Sequence, residues 1–278
     1  MAENIKPLKI NDILGLLDNV NKSLLTKIQL PTQTTEIELN PLNANHTKNI
    51  IKSVASGIFS DIQFNLVMNT ILKDVIKIPL NEISNYDKPI LFLQLRNKNI
   101  SPEIEVELTG KGLNEFGIER DLNLKEKINI DKHLKHVKLL NEFNNEEIET
   151  DGYKIILNFP SLAEENLFEE HLFKHKLTNI DENNKNVLKG LVGTMFIYSI
   201  CPYVKGIIIK DNIISLQDKT VDERLAIIEK LSAGTIKKII SKIDDYFGKE
   251  IQKLTTISVI KDDVKYTGNI QINSDLFI

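Results

Sequence analysis

The sequence predicts an α+β fold: an N-terminal strand pair with helices, a central antiparallel β element, and a C-terminal helical region closing with a β-hairpin. Three observations predict it. Glu103-Ile-Glu-Val-Glu-Leu alternates charged and apolar residues without a break, the period-two pattern of a half-buried strand. From Ser161 to Lys253 apolar residues recur at helical spacing, behind capping-box signatures at Ser161/Glu164 and Thr220/Glu223. Thr255–Ile260 and Lys265–Ile272 then return to strand spacing around a turn at Asp262-Asp263. On this reading the chain divides into an amphipathic arm (1–25), a strand pair with a helical pair (26–80), a β-rich segment (81–160) and a helical region with terminal strands (161–278).

The arm places Ile13, Leu16, Leu17, Val20 and Leu24 at helical spacing behind Asn11 or Asp12 as a cap. Such a face either packs on its own domain or docks on a partner, and little chain precedes the first strand for it to lie on. Lys27–Leu30 and Glu36–Leu39 read as short strands around a Pro31-Thr-Gln-Thr turn, and Pro41 ends the second. Helices follow from Asn45 or Thr47 to about Ser56 and from Ser60 to Val75, with Pro79 as the stop. Pro89–Arg96 is a continuous apolar run that periodicity alone leaves open between buried helix and buried strand. The alternation of 103–108 returns at Leu122–Ile130, and Tyr153–Phe159 is a further strand, so 100–160 reads as three or four antiparallel strands. Residues 131–150 look most loop-like. Asn183–Ser199 is an apolar helix, Lys205–Ile214 a short strand or loop, and Ser232–Phe247 a helix.

Of 278 residues, 41% are hydrophobic and 27% charged, which favours a folded chain over a disordered one. The net charge of −4 argues against nucleic acid as the main partner, because that binding draws on clustered positive charge. No apolar stretch approaches the roughly 20 residues of a membrane span. The first residues carry no secretory signal, so a protein made and kept in a cytosol, or in a particle assembled there, is expected. With one cysteine, Cys201, neither an intramolecular disulfide nor a cysteine-based zinc site can form. Lysine outnumbers arginine steeply and Ile and Asn are abundant, a bias that fits an AT-rich genome.

Motifs for chemistry are sparse. His171 and His175 stand four apart on one helical face beside Glu169 and Glu170, which suggests a metal-dependent enzyme as one alternative. Zinc proteases place glutamate directly after the first histidine; here it is Leu172, and a solvated charged face is the competing reading. His133 and His136 lie among lysines, which repel a cation. Cys201, in an apolar run, reads as a structural thiol. Gly110/Gly112 and Gly190/Gly193 match no phosphate-binding loop, and no Gly-x-Ser-x-Gly elbow occurs. Lys-rich stretches at 125–138 and 237–253 raise a DNA-handling alternative, against which acidic residues interleave both. The residues call for no cofactor, metal or small-molecule substrate.

Four segments carry a family resemblance. They are Ile28-Gln-Leu-Pro-Thr-Gln with Glu36-Ile-Glu-Leu-Asn-Pro-Leu and the Lys48 helix; Asp87-Lys-Pro-Ile-Leu-Phe-Leu-Gln-Leu-Arg-Asn-Lys-Asn; Met195-Phe-Ile-Tyr-Ser-Ile-Cys-Pro-Tyr-Val with Thr220–Ser232 and Ile236-Lys-Lys-Ile; and Asn269-Ile-Gln-Ile-Asn-Ser-Asp-Leu-Phe-Ile. Together they resemble the baseplate hub subunit or hub-assembly family of T-even-like, contractile-tailed bacteriophages, over most of 26–278. The resemblance implies a non-enzymatic structural or assembly role, late in infection, with other baseplate and tail proteins as partners. It implies location in the host cytoplasm during assembly, and leaves open whether the protein then stays in the virion tail baseplate or leaves. It also implies Cys-x-x-Cys pairs in the middle β segment and near the C-terminus, and this chain departs from that: Glu107–Asn123 and Ile260–Asn269 hold no cysteine, so packing alone must hold those turns. The arm of 10–23 looks additional to the family. The expected contact modes are strand-edge pairing and helix docking. The expected interface residues are Ile13, Leu16, Leu17 and Val20 on the arm and Leu276, Phe277 and Ile278 as a terminal anchor, the alternative for the last three being the chain's own core.

Overall fold

The structure, a computed structural model, describes residues 10–54, 60–113, 119–137, 145–150, 152–178, 185–210 and 212–277. Helix α1 (Ile10–Ser23) precedes the strand pair β1 (Thr26–Ile28) and β2 (Ile37–Leu39), antiparallel with Ile28 opposite Ile37. Helices α2 (Ala44–Val54) and α3 (Ser60–Val75) follow, and a bridge from Leu39 to Ile76 ties α3's end to β2.

Helix α4 (Lys88–Asn99) resolves the ambiguous apolar run. Pro89 stands in its first turn, where the missing N–H costs nothing. Pro89, Ile90, Leu91, Phe92, Leu93 and Leu95 are all buried. A helix covered on every side has no polar face, so it shows no period. Asp87 stands at its N-terminus but does not cap it. Its carboxylate instead accepts from the Thr32 backbone N–H at 2.9 Å and from the Thr32 hydroxyl, tying the β1–β2 turn to α4.

Strands β3 (Glu103–Leu113) and β4 (Glu119–Asn129) form a long hairpin, with Glu105 opposite Lys127 and Glu107 opposite Lys125. Val106 and Leu108 fill its inner face. After the short helix α5 (Ile130–Leu134) come β5 (Glu146–Glu149), β6 (Tyr153–Leu157), α6 (Leu162–Leu172), continued by a π-helical turn at Phe173–Leu177, and α7 (Lys185–Ile200). Strands β7 (Val204–Ile209) and β8 (Asn212–Ser215) precede α8 (Val221–Ile228), α9 (Ala233–Lys242), a π-helical stretch at Ile243–Gly248, and α10 (Lys249–Thr255). The hairpin of β9 (Thr256–Lys261) and β10 (Val264–Asn269) and a 3-10 turn at Ser274–Phe277 close the described chain.

The strands of 100–160 divide between two four-stranded antiparallel sheets, ordered β4-β3-β10-β9 and β5-β6-β7-β8. The terminal hairpin therefore completes a sheet begun more than a hundred residues earlier. It needs close approach: a Cβ on Gly268 would sit 2.6 Å from the Glu107 carbonyl oxygen, so only glycine fits there. Asp262 (φ 51°) and Asp263 (φ 60°) supply the left-handed turn of β9–β10. The two stretches without cysteine meet at one end of this sheet. There Gly110 and Gly112 lie under Val264, Tyr266 and Leu122, and a Cβ on Gly110 would come within 2.9 Å of the Lys265 carbonyl oxygen.

Asp87 yields a pH prediction. It is fully buried, and loss of hydration pushes its pKa from 3.8 up to about 6. The folded state therefore holds the proton more tightly than the unfolded chain. The stability this contributes is complete below the unfolded pKa of 3.8 and is lost as pH rises through 6. The loss amounts to about 3 kcal/mol across that window. Asp87→Asn, neutral at every pH, is expected to lack this fall when urea unfolding is followed from pH 4 to 7; parallel pH profiles for the two proteins would refute the assignment.

Candidate functional site

Helix α6 holds the charged interior together. Ser161 caps it, its hydroxyl accepting from the Glu164 N–H at 3.1 Å. The capping box expected there is only half made, because the Glu164 carboxylate turns away. It takes a hydrogen bond from Arg224 Nη1 at 2.7 Å and one from Lys205 Nζ. Arg224 also donates to the carbonyls of Cys201 (3.1 Å) and Val204 (3.2 Å) and lies 4.8 Å over the Phe168 ring. The next residue, Glu165, pairs with Lys88 of α4 at 3.1 Å, and one turn further Glu169 accepts from Asn65 of α3 at 2.9 Å. Burial pushes Glu169 up to about 7. At Thr220 the predicted capping box is complete in both directions.

The histidines of the metal-enzyme alternative have side-chain partners of their own. His171 Nδ1 lies 2.8 Å from the Tyr198 hydroxyl and its Nε2 lies 3.3 Å from Asp222, so both ring nitrogens are engaged. His175 stacks beside it with ring centres 4.3 Å apart. Among the described residues no group of three or more His, Cys, Asp or Glu side chains is placed to hold a metal ion. Burial pushes the Cys201 thiol up to about 12, which suits an inert core group. The two lysine-rich stretches do converge. Lys127, Lys132, His133 and His136 share a cleft of about 810 Å³ with Lys253, but Glu250 enters it and pairs with Lys253, and His133 Nε2 is spent on the Leu254 carbonyl. Among the described residues no helix is long and apolar enough to cross a membrane.

What remains is surface. Ile13, Leu16, Leu17 and Val20 of α1 are all exposed, as are Ile10, Leu14 and Leu24. Leu276 and Phe277 lie in the chain's own core, 1% and 4% exposed; Ile278 falls outside the described residues. The Phe277 ring packs 6.1 Å from Phe64 and 5.9 Å from Phe92, and Arg96 donates to the Leu276 carbonyl at 2.8 Å.

Sequence reasoning missed the sheet edges. Of the four outer strands, β4 and β5 are studded with charge, a common guard against pairing with other chains. β8 (Asn-Ile-Ile-Ser) carries no charge at all and is exposed throughout, with Ile213 beside a cleft of about 560 Å³ that Lys205 and Asn158 also line. β9 keeps a charge only at its last residue, Lys261, and exposes Ile260. The outward Ile213 and Ile260 were legible as apolar residues, but their edge position depends on long-range pairing.

The chain's sequence was also compared with known proteins. Neither a curated protein nor a solved structure matches it. A family model does, that of the T4 bacteriophage base plate protein, over residues 23–258. The matched span runs from the end of α1 into β9 and takes in the Glu164–Arg224–Lys205 network, the β3–β4, β5–β6 and β7–β8 strand pairs and all the helices from α2 to α10. The chain therefore belongs to the T4 bacteriophage base plate protein family.

Proposed function

We propose that this chain is a structural or assembly component of the baseplate hub of a contractile phage tail, acting through protein–protein interfaces rather than by catalysis. The observation that carries the reading is the family match over 23–258. The surface supports it: an exposed apolar helix, an uncharged sheet edge at β8 and a charge-poor one at β9 are groups that a partner covers. On this reading α1 docks through Ile13, Leu16, Leu17 and Val20, and β8 and β9 accept strands of neighbouring subunits. The partners are other baseplate and tail proteins, met in the host cytoplasm during assembly and kept in the virion baseplate, with no part for nucleic acid, membrane or small-molecule substrate.

Affinity capture of the tagged chain from infected cells tests this. Tail and baseplate proteins are expected to co-purify, and Ile213→Lys at the β8 edge is expected to reduce their recovery while the variant stays folded. Recovery of unrelated host proteins alone would count decisively against it.

A further inference from the structure

We propose that α1 binds copies of itself, gathering three or more chains into a parallel helical bundle. The proposal rests on the reading that α1's apolar face is an interface, and it names the occupant. The carrying observation is spacing. Ile10, Ile13, Leu17 and Val20 follow one another at intervals of three, four and three, the a and d positions of two heptads, and Leu24 takes the next a position in the turn that ends α1. That seam is what a second helix fills by knobs-into-holes packing, and a strand or a flat surface does not match it. Every one of these side chains is exposed in the isolated chain.

Charge and side-chain shape choose the occupant. In the heptad register of the sequence Asp12 and Asp18 take c and b and Lys22 takes f, while the e and g positions are Leu14, Leu16, Asn21 and Ser23. No charge stands at a, d, e or g. Copies therefore meet no like-charge repulsion, and the seam has no charge code for a different partner. Ile at both a and d in the first heptad, then Leu at a with β-branched Val at d, shifts preference from two strands to three or four. Leu14 and Leu16 widen the stripe to the e and g positions, which larger bundles bury. With its apolar side chains 43–72% exposed, the face offers on the order of 600 Å² per copy, about the lower limit for a specific interface. Two heptads make a short bundle, so it forms reversibly with concentration.

Sedimentation of the full chain over a dilution series is expected to rise from one chain to three or more. Leu17→Asp, a carboxylate in the seam, is expected to give single chains throughout with an unchanged circular dichroism spectrum. Asp18→Asn, outside the seam, should leave the series as it was. Oxidation of Leu24→Cys should link chains covalently, and Cys201 is too deeply buried to contribute. One- or two-chain mass throughout, or an oligomer that survives Leu17→Asp, overturns the proposal. If single chains capture a tail protein and Leu17→Asp abolishes that capture, self-association falls while α1 stands as an interface. If Leu17→Asp alters neither association nor capture, both readings fall.

Discussion

Glu164→Ala is expected to cost about 3–5 kcal/mol of folding stability, the range for breaking one side of a buried ion pair. The carboxylate sits between Arg224, 3% exposed, and Lys205, 10% exposed. Its removal strands two cations away from water, with backbone carbonyls as their remaining partners. Against a typical total of about 5–15 kcal/mol, that loss is large enough to leave the variant marginal. The control is Lys174→Ala, in the π-helical turn that continues the same helix, which removes only the solvent-exposed i,i+4 pair with Glu170; a pair of that kind is worth about 0.3–0.5 kcal/mol. A second comparison separates charge burial from lost packing. Replacing Glu164, Lys205 and Arg224 together by Leu, Met and Leu removes both signs of charge, and is expected to recover most of the loss. Urea unfolding followed by circular dichroism measures all three proteins. A loss below about 1 kcal/mol for Glu164→Ala, the range of exposed pairs, would show that the network is effectively solvated.

That network also marks where the sequence stops being legible. The capping-box spacing at Ser161/Glu164 is a local signal, and the cap itself forms; the destination of the carboxylate depends on Arg224, sixty residues away, which no local pattern announces. The alternating hairpin strands and the terminal turn at Asp262-Asp263 were readable because both are local: period two in one case, tolerated left-handed φ in the other. Their assignment to sheets was not, since β3 pairs with β10 more than 150 residues further along the chain, with Gly110 opposite Tyr266. β5 hid among the glutamates of a loop-like stretch because three of its four residues are acids. The exposed face of α1 was visible as periodicity, yet whether its own domain covered it was a question only the packing could answer.

The same distinction governs the C-terminus. Phe277→Ala is expected to destabilise the fold by about 3–5 kcal/mol, the usual cost of deleting a buried phenylalanine. A terminal anchor for a partner would behave otherwise, losing assembly while the isolated chain kept its stability. The ring stands between Phe64 of α3 and the fully buried Phe92 of α4, so its removal opens a cavity in rigid surroundings that cannot close over it. The Arg96–Leu276 hydrogen bond holds the segment in register and limits relaxation further. Because the three rings touch, Phe92→Ala and Phe277→Ala together should cost less than the two single losses added, a coupling that a double-mutant cycle reads directly. Ile260→Ser, at an exposed edge position, should stay within about 0.5 kcal/mol of wild type and so serves as the surface reference. If Phe277→Ala unfolds in urea at the wild-type midpoint but no longer enters tail assemblies, the residue belongs to an interface and the packing assignment is wrong. If its midpoint falls and assembly fails only in proportion to the folded fraction, the C-terminus acts on assembly through the core, and contact with other subunits is left to α1 and the charge-poor edges of β8 and β9.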